Sequence, residues 1–114
     1  MHAYESPENE AFEQRPDIRS SEVVLRNHDH SRPYVVDLQL TGDGSATPET
    51  TGTYRLAEGE IRCLSTNMSS ERTQVTARLE TGANDTTVGK LSERPEHTAV
   101  IQLGNGVVCT THGV

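Results

Sequence analysis

The sequence predicts an all-β domain, an antiparallel sandwich or barrel of about seven to eight short strands. Three observations carry this. Apolar and polar residues alternate with a period of two along most of the chain, and almost nowhere with the 3.6 period of a helix. Fourteen threonines and ten valines suit a pleated, half-buried surface and are mediocre helix formers. Turn-forming clusters then cut the alternating runs at the short intervals typical of β-sandwiches.

The runs can be taken in order. Glu22–Asn27 is the first, and Tyr34, Val36, Leu38 and Leu40 share one face of the second, with Asp37 and Gln39 opposite. Thr53–Leu56 and Glu60–Ser65 follow, separated by Glu58-Gly59. Val75, Ala77 and Leu79 alternate with Thr76, Arg78 and Glu80, and Gly82-Ala83-Asn84-Asp85 marks the next turn. The remaining runs are Thr86–Leu91, Thr98–Leu103 and Gly106–Thr111. Tyr34 and Tyr54 are in phase with apolar neighbours, which places both in the core. The last hairpin can be registered. A two-residue type I′ turn at Asn105-Gly106 sets Gly104 against Val107 and Gln102 against Cys109. Ala99 then faces His112, and Cys109 and His112 point to opposite faces of a regular strand.

Charge divides the chain. Its 114 residues carry a formal net charge of −7. Residues 1–20 hold five acids, two arginines and two prolines without a sustained period, which predicts a flexible acidic tail or linker. Residues 21–114 hold the strand pattern and form the predicted domain. Seventeen acids against ten bases argue against a nucleic-acid partner. No apolar run approaches the ~20 residues of a membrane span. Met1–Glu5 contains no apolar signal core, so the chain is expected either in the cytoplasm or downstream of a removed export signal.

Two cysteines, Cys63 and Cys109, each fall within a predicted strand. A disulfide between them would close a long loop and add roughly 4 kcal/mol in the loop-entropy model, a useful staple for a thin core. The other reading is two reduced thiols acting as small hydrophobes. Asn67-Met68-Ser69 and Asn84-Asp85-Thr86 are glycosylation sequons in predicted loops. With a disulfide they favour a place outside the cell. His28 and His30 are alternate residues in a connecting segment, where two imidazoles could share copper or zinc; the other reading is a polar turn, since Asn27, Asp29, Ser31 and Pro33 are all turn formers. Cys109-Thr110-Thr111-His112 looks like the ligand loop of some cupredoxins, but no methionine follows it and Cys63 competes for the thiolate. No cofactor is therefore expected, with a copper or zinc sandwich as the alternative. Nucleophile-elbow and phosphate-loop patterns are absent. Glu58, Glu60, Glu93 and Glu96 bracket turns, where solvation is their default state. No catalytic residue is expected.

Nine of the ten basic residues are arginine. An acidic chain nearly devoid of lysine suits strong salt, where screening relieves self-repulsion; the other reading is an ordinary arginine bias of a GC-rich genome. Val23–Asp29 and Tyr34–Leu38 resemble the opening strands of small acidic Ig-like domains in exported or lipid-anchored proteins of halophilic archaea. Thr53-Tyr54-Arg55-Leu56-Ala57-Glu58-Gly59-Glu60 is similar to the "tyrosine, leucine, x, x, glycine, glutamate" segment of those domains. The resemblance covers residues 21–114 and implies an immunoglobulin-like sandwich behind an acidic tether. It supplies no catalytic residues, and the two cysteines do not match the usual immunoglobulin pin. The resulting expectation is a non-enzymatic binding or structural module at the cell surface, whose partner is another protein or a surface glycan.

Overall fold

The structure is a computed structural model that describes residues 13–15, 22–66, 72–92 and 94–113. Nine strands lie among these: β1 (Glu13–Arg15), β2 (Val23–Asn27), β3 (Tyr34–Gly42), β4 (Thr50–Leu56), β5 (Ile61–Ser65), β6 (Thr73–Leu79), β7 (Asn84–Gly89), β8 (Ala99–Gly104) and β9 (Val107–His112). One sheet has the order β1-β5-β2-β8-β9 and the other β4-β3-β6-β7. The β-sandwich is the predicted fold class. Each of the eight runs read from residues 21–114 is a strand. A 3-10 turn at Pro95–His97 is the only helical element among the described residues.

Alternation explains which face each strand buries. In β3, Tyr34, Val36, Leu38 and Leu40 are buried while Asp37 and Gln39 are exposed. In β6, Val75, Ala77 and Leu79 turn inward from the opposite ladder. With Val23, Leu25, Leu64, Ile101 and Leu103 from the other sheet they form one contiguous core. Two tyrosines belong to it, as their phase requires: Tyr34 and Tyr54 are each 1% exposed. The β8–β9 hairpin has the predicted register, Gly104 opposite Val107 and Gln102 opposite Cys109. Asn105 and Gly106 both have positive φ, 53° and 76°, as a type I′ turn demands.

Four features depart from the sequence reading. β2 and β8 run parallel, whereas an antiparallel sandwich was expected throughout. Periodicity fixes a strand's face and says nothing about which distant strand lies beside it. Residues 13–15, inside the predicted tail, pair with β5 through backbone hydrogen bonds; three residues are too few to leave a periodic trace. β4 begins at Thr50 and β7 at Asn84. Gly52, Asn84 and Asp85 are turn formers, and cross-strand pairing overrides that preference.

Fourth, the predicted disulfide is not formed, and both cysteines are free. Cys63 on β5 and Cys109 on β9 are separated by β2 and β8. Three inter-strand spacings of ~4.8 Å place them about 14 Å apart, against a limit near 7 Å between bridged Cα atoms.

The two sheets are joined along one side. Asp85 of β7 accepts hydrogen bonds from the N–H (2.8 Å) and hydroxyl (3.1 Å) of Thr110 on β9. Thr87 Oγ1 and His112 Nδ1 are 3.0 Å apart two residues further on. Asp85 thereby occupies the Thr110 N–H, a backbone group that an edge strand would otherwise expose.

Candidate functional site

The most ordered polar cluster among the described residues lies at one end of the sandwich. Three segments meet there: 28–33 after β2, the 57–60 turn before β5, and the β8–β9 turn. Asn27, 1% exposed, organises the first two. Its Nδ2 donates to the carbonyls of Arg32 and Ala57, both at 3.0 Å, and its Oδ1 accepts from Asp29 N–H at 2.9 Å. Asn and Asp are favoured in such positions because their short side chains can satisfy nearby backbone groups.

Tyr34 ties in the third segment. Its hydroxyl donates to Asp29 Oδ2 (3.1 Å) and accepts from Gly106 N–H (2.9 Å). Asp29 also accepts from the hydroxyl (2.6 Å) and N–H (2.9 Å) of Ser31. The Ser31 bonds, with a smaller contribution from Tyr34, hold its carboxyl below the usual range. Arg32 lies 4.6 Å from the centroid of the Tyr34 ring, a cation–π distance. The turn at the other side is closed by Glu60, which accepts from Ala57 N–H and pairs with Arg62, both at 2.8 Å.

His28 and His30 sit on this end and diverge. β2 lies between β5 and β8. His28 turns toward β8, where its Nε2 donates to Gln102 Oε1 at 2.6 Å. His30 turns toward the 57–60 turn. There Gly59 has φ +70°, and a Cβ at that position would come within 3.2 Å of His30 Nδ1. The pair does not converge on one point, contrary to the shared-metal reading. Cys109 is on the outer face of the first sheet, across from Gln102. His112 points the other way, toward Thr87 and Gly89. The cupredoxin-like arrangement of Cys109 and His112 is therefore not assembled, for the reason that strand alternation gives. No group of three or more His, Cys, Asp or Glu placed to hold a metal ion occurs among the described residues.

His112 has a different character. Its Nε2 is buried and has no hydrogen-bond partner among the described residues. Burial, and then the charge of nearby His97, push its pKa below the ordinary value. His97 is itself bonded to Ser92, Nδ1 to Oγ at 2.9 Å.

The carboxylates named from sequence are dispersed and do not converge where they are described. Glu60 is paired as above, Glu96 pairs with Arg94 at 2.8 Å, and Glu58 is exposed. Asn84 is exposed, and its sequon lies within strand β7 with Asp85 half-buried, not in the expected loop. Asn67 and Glu93 lie outside the described residues. No helix among the described residues is long and apolar enough to cross a membrane.

The outer face of the second sheet is flat and polar. Cross-strand rows run Thr53–Asp37–Arg78–Asn84 and Thr51–Gln39–Thr76–Thr86. A shallow depression of about 350 Å³ lies over Asp37, Gln39, Thr51 and Thr53. No signal in the sequence pointed to the loop cluster as a unit. Asn27, Asp29 and Tyr34 were legible separately, as a turn former, a turn former and a core residue. No family model, curated protein or solved structure matches the chain.

Proposed function

We propose that this chain is a non-enzymatic binding module that engages another protein or a surface glycan through the loop end of the sandwich. One observation carries the reading: three segments from both sheets are locked into a single surface by Asn27, Asp29 and Tyr34. A binding face that is already ordered avoids the cost of ordering on association, about 0.5–1.5 kcal/mol for each immobilised long side chain. Loops held by a rigid scaffold are a common location of recognition residues. The face presents His28, His30, Arg32 and Glu58, all exposed, so its chemistry is polar and of mixed charge.

The same proposal places the module outside the cell, in a strongly saline setting. An exposed sequon asparagine at Asn84, a net charge of −7 and nine arginines among ten basic residues support it. Arrays of neutral and acidic glycans, together with cell-envelope proteins, provide the test. The wild type should bind at least one class, and the His28→Ala/Arg32→Ala variant should lose that binding. A Thr76→Ala/Thr86→Ala control on the far face should keep it. Binding that follows the control residues instead, or turnover of a bound substrate, would overturn the reading.

A further inference from the structure

The four sheet edges of this sandwich are treated very differently. β7 and β9 lie against each other and are clamped by Asp85 and His112 as described above. β1 is three residues long. β4 is the long edge, seven residues from Thr50 to Leu56. It pairs with β3 in unbroken register, from Tyr34 opposite Leu56 to Leu40 opposite Thr50. It holds no proline, no lysine and a single charge, Arg55. Natural edge strands are normally blunted by such residues, by bulges or by brevity.

The phase of its hydrogen bonds can be read from the neighbouring ladder. Glu80 N–H donates to Val35 O at 3.3 Å, so Val35, Asp37 and Gln39 turn their backbone groups to β6. Antiparallel alternation then turns those of Val36, Leu38 and Leu40 to β4. On β4 itself, the backbone groups of Thr51, Thr53 and Arg55 consequently face away from the sheet. Arg62 Nη2 reaches Arg55 O at 3.5 Å, which covers one end. The amides and carbonyls of Thr51 and Thr53 form the open part.

We propose that β4 is a self-association edge, and that its occupant is β4 of a second copy, paired antiparallel about a two-fold axis at Thr53. The observations favour this occupant because the edge is self-complementary. In that register Thr53 faces Thr53 of the second copy, and Thr51 faces Arg55. No like charges stand opposite each other. Arg55 of each copy lies diagonal to Glu49 of the other, within reach for a long side chain, which gives two symmetric ion pairs. Glu49 is exposed immediately before β4. The second sheet then continues from one copy into the other, with both polar outer faces on the same side.

The net charge of −7 on each copy opposes association until salt screens it, so dimerisation tightens as ionic strength rises. Analytical ultracentrifugation in about 0.1 and 2 M KCl tests this. The wild type should show a concentration-dependent dimer that is stronger in high salt. Thr53→Pro removes an N–H that the fold does not use, and Thr53→Lys adds a charge at the two-fold axis. Each should weaken association at least about tenfold while the monomer stays folded. In about 0.1 M KCl, where the exposed pair is least screened, Arg55→Glu should also weaken it, and adding Glu49→Arg should restore it. A chain that stays monomeric in both salts overturns the proposal, as does a dimer that Thr53→Pro and Thr53→Lys leave intact.

Discussion

Tyr34 is the residue on which the loop end depends. Its ring is core and its hydroxyl is the sole link described between Asp29 and the β8–β9 turn. Tyr34→Phe keeps the ring and removes both bonds, leaving Gly106 N–H unsatisfied. A loss of about 1–2 kcal/mol is expected in urea unfolding, with faster exchange of the Gly106 amide. His112 sets a pH dependence of a different kind. Its folded pKa is depressed, so the unfolded chain binds the extra proton. Stability from this group is complete above pH ~6.5 and falls as acid is added below that value. Asp29 and Asp85 also have depressed values, Asp85 mainly through Thr110 N–H. Their contribution is present above about pH 4 and is lost further into acid. Urea midpoints measured from about pH 8 down to about pH 3 should decline for the wild type from about pH 6.5 downward. They should flatten for His112→Asn, while the loss below pH 4 persists in both.

At the scale of elements, the β7–β9 clamp is the feature that no periodicity announces. Asp85 looks like a turn residue beside Asn84, yet in β7 its carboxylate holds the Thr110 amide. Asp85→Ala should cost about 1–2 kcal/mol and should deprotect that amide in hydrogen exchange. An unchanged Thr110 exchange rate would show the clamp to be incidental. What was legible in the sequence follows from the same physics. Side-chain alternation is local, so the faces of β3 and β6 and the register of the last hairpin could be read directly. The two-residue turn alone sets Gln102 against Cys109. The strand order is set by long-range pairing, which leaves no local pattern. The parallel β2–β8 contact, the distance between Cys63 and Cys109 and the divergence of His28 from His30 all follow from that order. The candidate site was legible only in pieces, because Asn27, Asp29 and Tyr34 act together through loops that meet in space.

The whole molecule is a thin sandwich under electrostatic strain. Its core rests on two tyrosines and short aliphatic side chains, and its charge is −7. Self-repulsion of that kind destabilises the compact state and is relieved by salt. The melting temperature should therefore rise steeply with KCl over the first few hundred millimolar, and Asp43→Asn/Glu49→Gln should reduce that dependence. A salt-independent melting temperature would remove the support for a saline habitat. The proposed binding face is the loop end. Amide NMR of the wild type, titrated with the glycan or envelope protein that it binds most tightly on the arrays, tests this most directly. Shift changes are expected to be confined to residues 28–33, 57–60 and 102–107. Changes centred instead on Gln39, Thr51, Thr76 and Thr86 would contradict it.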